Sequence, residues 1–150
     1  MSEIKPCFVY LICSEVDGKL QGPCKVGISD KPDKRLRQVQ TGSPSKLVIA
    51  FAFRIWNRRF AQVFEAAFHA AHEDHRLNGE WFDLSAKDAL RGMVDTFKVG
   101  LDILLKDAPD GDAVFEQIVQ SSNLMDAAKL LYKIYEAEGT LRKPLGGPLN

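Results

Sequence analysis

The sequence predicts an α+β fold: a small three-stranded antiparallel sheet flanked by helices, followed by an all-helical C-terminal extension. Three observations predict it. Short apolar runs rich in aromatic and β-branched residues fall at Cys7–Cys13, Lys25–Ile28 and Leu47–Trp56. A helical-period apolar stripe opens at Asn57, and from Ala86 onward the chain reads as helix.

The elements follow in order. Cys7-Phe8-Val9-Tyr10-Leu11-Ile12-Cys13 has no polar alternation, so it reads as a strand buried on both faces. Ser14 to Pro23 holds the turn signals Asp17-Gly18 and Gly22-Pro23 and reads as a loop. Lys25-Val26-Gly27-Ile28 is the second strand, antiparallel to the first. Ser29-Asp30-Lys31-Pro32 opens a helix that runs to about Gln40, with Leu36 and Val39 inward. Thr41-Gly42-Ser43-Pro44 ends it, and Leu47–Trp56 is the third strand.

Asn57 is an N-cap for a helix reaching about Asp74, with Phe60, Val63, Phe64, Ala67, Phe68 and Ala71 on one face. Glu65, His69, His72 and Arg76 form a stripe along the edge of that face. Gly79-Glu80-Trp81-Phe82 makes a turn and a short extended segment. Ser85 with Asp88 resembles a capping box. Three helices then span about 86–106, 112–121 and 123–138, and the Gly- and Pro-rich residues 140–150 read as a flexible tail. The expected division is 1–85, 86–139 and 140–150.

Composition narrows function less. Twenty basic and twenty acidic residues leave no net charge. The stretch to Ser85 carries 12 basic against 10 acidic residues and the remainder 8 against 10, so the halves are +2 and −2. Three cysteines without a CxxC, no apolar leader and no membrane-length run suggest a reduced, cytoplasmic setting with no membrane. The histidines form no HExxH, so no zinc site is indicated.

Taken singly, the chemistry-bearing residues have ordinary explanations. Tyr10 is a buried tyrosine, Lys25 and Arg35 are solvated charges, and Glu65 with His69 is a helix-surface pair. Their order says more. Val9-Tyr10-Leu11-Ile12, then Lys25-Val26-Gly27-Ile28-Ser29, then Asp33-Lys34-Arg35-Leu36, resembles the GIY-YIG nuclease superfamily. Phe64-Glu65-Ala66-Ala67-Phe68-His69, Gly79-Glu80-Trp81-Phe82 and the Gln40-Thr41-Gly42 segment resemble a small branch of it common in phages and bacteria. The resemblance covers roughly residues 7 to 85.

The resemblance implies a Mg²⁺-dependent endonuclease, with Mn²⁺ as a substitute. Tyr10 matches the tyrosine of the first motif and Gly27 the glycine of the second. Arg35 matches the arginine on the scissile phosphate, and Glu65 the glutamate that binds a single divalent metal. One hard cation supplies Lewis acidity, and a forked guanidinium suits phosphate oxygens. The pattern departs at Phe8, where the family has glycine, and at Lys25, where most members have a tyrosine. It departs again in the late asparagine, for which only Asn78, in a turn, is at hand. A lysine is ordinarily a cation, so Lys25 is read as holding the phosphate and Tyr10 as handling the water. Acting as a base would require burial or the charge of Arg35 beside Lys25. His69, one turn from Glu65, is read as a base, a metal ligand or a partner to the ligand.

Nucleic acid is the implied partner, DNA before RNA. Phosphate contacts are expected from Lys31, Lys34, Arg35, Arg37 and the Arg54, Arg58, Arg59 cluster, a thin surface that predicts salt-sensitive binding. The same charges are also what solvated helix faces carry. Phe97, Leu101, Leu104, Leu105, Leu130, Leu131 and Ile134 offer either a homodimer or protein-partner surface in the helical tail, or a face that packs back on the sheet. The competing function is a non-cleaving adaptor that acts through that tail.

Overall fold

The computed structural model describes residues 6–106 and 109–139. The first correction to the sequence reading comes at its start. Asp17 and Gly18 both take positive φ, 53° and 75°, which reverses the chain in two residues and matches the twist of the flanking strands. Ser14–Pro23 is therefore no loop but the closed end of a long hairpin, β1 (Cys7–Val16) and β2 (Lys19–Ser29). After α1 (Pro32–Thr41), β3 (Leu47–Ile55) pairs antiparallel with the other side of β1.

The second correction concerns the sheet, which has five strands rather than three. α2 (Arg58–Ala71) stops short of Asp74, and a tight turn at Glu73–His75 leads into β4 (Arg76–Asn78) and β5 (Trp81–Phe82). These two are antiparallel and joined at Gly79, whose φ of +57° suits glycine. β5 pairs with β2, giving the order β3-β1-β2-β5-β4.

Both faces of β1 are covered, which explains its unbroken apolar run. Val9, Leu11 and Cys13 face a core with Phe53, Phe64, Phe68 and Phe82. Tyr10 and Ile12 face the other way, with Leu47 and with Leu36 and Val39 of α1. Cys7, Cys13 and Cys24 are free thiols buried in the first of these layers.

The remaining helices, α3 (Ala86–Leu105), α4 (Gly111–Ser121) and α5 (Leu124–Ala137), lie within two residues of their expected bounds. Ser85 Oγ caps α3 by accepting from the Asp88 amide at 3.0 Å. α3 joins the main core through Ala89, Leu90, Met93, Phe97 and Leu101, all fully or almost fully buried. Leu130, Leu131 and Ile134 of α5 pack against the same core. Most of the apolar side chains that could have formed a dimer surface are thus used within the chain; the side chain of Leu104 lies outside the description. Lys87 Nζ donates to Glu138 at 2.9 Å, and Arg91 to the Tyr135 hydroxyl at 3.1 Å, which ties α5 to α3.

At the start of α5, Asn123 reaches the outer side of β3. Its Oδ1 accepts from the Arg54 amide and its Nδ2 donates to the Ala52 carbonyl, both at 2.8 Å. No described helix is long and apolar enough to cross a membrane. The expected tail at 140–150 lies outside the described residues.

Candidate active site

The site is organised around the missing side chain of Gly27. In register, Gly27 of β2 stands across from Tyr10 of β1. A Cβ built on Gly27 would lie 2.5 Å from the Tyr10 hydroxyl oxygen and 2.6 Å from Glu80 Oε1. Only a glycine lets the phenol and the carboxylate approach the strand backbone together.

Lys25, two residues earlier on the same face, donates to Glu80 Oε1 at 2.9 Å, and its Nζ lies 5.9 Å from the centre of the Trp81 ring. Glu80 sits in the turn between β4 and β5. Its backbone carbonyl accepts from the Val26 amide at 3.1 Å, so the turn is stitched to β2 beside the site. Glu65 reaches in from α2. Its carboxyl is half-buried and close enough to that of Glu80 for each to act on the other, and its Oε2 is shut away from solvent with no hydrogen-bond partner.

The two carboxyls titrate apart. Burial, then the hydrogen bond and charge of Glu80, push Glu65 up to about 7, against the pull of Lys25 and Arg58. Burial acts on Glu80 in the same direction, but hydrogen bonds from Lys25 and Glu65 and the charges of Lys25 and His69 together hold its carboxyl below the ordinary value. The pair thus keeps one proton, on Glu65, into the neutral range. Tyr10 is pushed up to about 12, by burial first and then by the charge of Glu80, with Arg35 opposing.

The sign of the resulting pH dependence is fixed. Glu65 is raised on folding, so its contribution to stability is complete below the ordinary value of 4.5 and is lost as pH rises through about 7. Glu80 is lowered, so its contribution is lost only as pH falls below the ordinary range. In chelator-treated protein the melting temperature is expected to fall between pH 5 and pH 8, and Glu65→Gln, neutral throughout, should flatten that slope. A wild-type melting temperature independent of pH across this window would contradict the shared proton.

His69, one turn beyond Glu65, donates from Nε2 to the Val26 carbonyl at 2.8 Å. This pins α2 to β2 next to Gly27, and in the neutral ring it leaves Nδ1 as an acceptor. The rest of the helix stripe is structural. His72 bonds the Phe68 carbonyl through Nδ1 and stacks on the Phe68 ring at 4.1 Å. Arg76 binds Glu73 and the Gly79 carbonyl.

Of the residues singled out in the sequence, Tyr10, Lys25, Gly27, Glu65 and His69 come together. Arg35 is exposed on α1, near enough for its charge to act on Tyr10. Lys34 and Arg37 are exposed on the same helix. Arg58 is exposed at the start of α2, where its charge acts on Glu65 and its Nη1 lies 3.8 Å from Cys7 Sγ. Arg59 is not part of this group; it lines an apolar cleft of about 750 Å³ between α2 and α3, with Phe60, Val63 and Val99. Asn78 is exposed in β4.

Glu80 was not among the predicted site residues. Its signals were an acid beside a turn glycine and a place in the Gly79-Glu80-Trp81-Phe82 segment, and its partner Lys25 lies 55 positions away. Among the described residues no group of three or more His, Cys, Asp or Glu is placed to hold a metal ion.

The T5orf172 domain model matches residues 7–98, a stretch that holds every group of the site and runs on into α3. No curated protein and no solved structure matches the chain. With more than half its length and the whole candidate site inside that match, the chain belongs to the T5orf172 domain family.

Proposed function

We propose that this protein is a divalent-metal-dependent endonuclease of the GIY-YIG kind, hydrolysing phosphodiester bonds of DNA. The observation that carries the reading is the meeting of Tyr10, Lys25 and the Glu65–Glu80 carboxyls around Gly27, with Arg35 at the solvent side. Five elements, β1, β2, α1, α2 and the β4–β5 turn, contribute a phenol, two cations and two carboxyls.

The residues suit a hard cation. Glu65 offers a buried carboxylate oxygen with no partner, and one or two carboxylates plus water are the usual protein share of a Mg²⁺ site. Mg²⁺, or Mn²⁺ in its place, would be held by Glu65 and would supply Lewis acidity toward a phosphate oxygen. Arg35, exposed and permanently charged, is suited to grip the scissile phosphate. Lys25 offers a second cation once phosphate competes with Glu80 for its ammonium. Tyr10, with its hydroxyl held up at about 12, remains protonated at neutral pH and so orients the attacking water rather than deprotonating it.

His69 holds the Val26–Gly27 backbone in place through its Nε2. Lys34 and Arg37 extend the charge of Arg35 along α1 for flanking phosphates, and Arg58 adds a cation at the start of α2. So few cations imply weak binding, with a salt dependence that scales with the few phosphates they neutralise. The competing reading, a non-cleaving adaptor working through its helical extension, has less support, because the apolar faces it would use are largely consumed in the core.

The test is cleavage of supercoiled plasmid with Mg²⁺ or Mn²⁺, wild type against Glu65→Ala and Arg35→Ala. Metal-dependent nicking that both substitutions abolish is expected. Wild-type inactivity on plasmid, on single strands and on RNA alike would overturn the reading.

A further inference from the structure

We propose that Glu80 is a second carboxylate ligand of the divalent cation, so that the site is a two-glutamate cradle closed by the β4–β5 turn. The inference rests on the reading of Glu65 as a cation ligand and extends it to a residue outside the original candidates.

Four observations carry it. Glu80 and Glu65 lie on separately anchored elements, yet their carboxyls are close enough to act on each other. Two carboxylates forced together repel, and a shared proton, a lysine or a divalent cation relieves the repulsion. The structure already uses the lysine: Lys25 Nζ sits 2.9 Å from Glu80 Oε1. Second, Glu65 Oε2 is buried with no hydrogen-bond partner, a costly state for a carboxyl oxygen unless something binds there.

Third, Glu80 is held at the site by backbone rather than by its salt bridge. The Val26 amide binds the Glu80 carbonyl at 3.1 Å, and Gly79 with φ +57° sets the turn. Fourth, Gly27 leaves open the space that Glu80 Oε1 occupies; a methyl group there would come within 2.6 Å of that oxygen. A glutamate serving only as a surface partner for Lys25 needs neither the bare backbone beneath it nor contact with a second acid. With both carboxylates ionised and Lys25 charged, the cluster carries a net −1, which suits a dication that must also attract phosphate.

The experiment uses the full chain and Mn²⁺ as the probe, read by electron paramagnetic resonance, with bound waters counted from isotope-labelled water at saturating metal. Wild type is compared with Glu65→Gln, Glu80→Gln, Glu80→Asp and Lys25→Met. If Glu80 is a ligand, Glu80→Gln weakens Mn²⁺ binding by about tenfold or more, and the water count rises by one. Glu80→Asp, which keeps the charge, recovers part of the affinity, and Lys25→Met leaves it equal or tighter.

Mn²⁺ binding lost in Glu65→Gln but unchanged in Glu80→Gln would overturn the inference while leaving Glu65 as the single ligand. Weaker binding in Glu80→Gln with an unchanged water count would also overturn it, since Glu80 would then only position Glu65. Failure of the wild type to bind Mn²⁺ would remove the cation reading and this inference together.

Discussion

Phe97→Ala is expected to lower stability by about 3–5 kcal/mol, the usual cost of emptying a fully buried phenyl site. For a chain of this size that corresponds to a fall in Tm on the order of 6–20 °C. Phe97 is 0% exposed, and its ring centre lies 5.7–6.0 Å from those of Phe53, Phe60 and Phe64. It therefore joins the sheet, α2 and α3 at one point, and none of its neighbours can relax inward without losing another contact. Val99→Ala two residues later, at a position 56% exposed, should stay within about 0.5 kcal/mol of wild type. Urea denaturation of both variants checks the pair. A Phe97→Ala loss below about 1 kcal/mol would mean that α3 does not pack on the sheet as described. The same contacts predict that a chain ended at Ser85 fails to fold, because α3 supplies one wall of the core.

Gly27→Ala is expected to lower stability by about 1–3 kcal/mol, the range for forcing a methyl into a filled site. The new Cβ would meet the Tyr10 hydroxyl oxygen at 2.5 Å, Glu80 Oε1 at 2.6 Å and Tyr10 Cζ at 2.8 Å. Tyr10 is buried between the sheet and α1 and cannot swing out, so the carboxylate or the strand must move instead. Under the proposed function, nicking activity should fall further than the loss of stability accounts for, because the groups displaced are those that face the phosphate and the water. At Gly42, by contrast, an added Cβ meets only the Val39 carbonyl, at 4.0 Å, and Gly42→Ala should be tolerated. A Gly27→Ala protein with wild-type melting and wild-type nicking would contradict the crowded geometry.

The long elements were legible because each buries a wide face against the rest of the chain. Helix starts were legible too: Asn57 accepts from the Phe60 amide at 3.1 Å, as its position before an apolar stripe suggested. The outer arms of the β1–β2 hairpin were not, because Glu15, Val16, Lys19 and Gln21 are half-buried or exposed and show no alternation. β4 and β5, at three and two residues, are shorter than any periodicity can register.

Arg58 and Arg59 show a different limit. Neighbours on a helix point about 100° apart, so one faces Glu65 and the other the α2–α3 cleft, although they read as one cluster. Glu80 was hidden for a third reason. Its role comes from the pairing of Lys25 with Trp81 across β2 and β5, a matter of register that local pattern does not encode.

Asn123 has a consequence for how this protein behaves at high concentration. β3 is an outer strand of the sheet, and unpaired outer strands are where identical chains add to one another and grow into aggregates. The carboxamide of Asn123 imitates a neighbouring peptide bond, taking the free amide at Arg54 and the free carbonyl at Ala52. The last helix is in this sense a stopper that keeps one molecule from templating the next. Proteolytic loss of α5 would bare that edge and make copies of the chain self-adhesive.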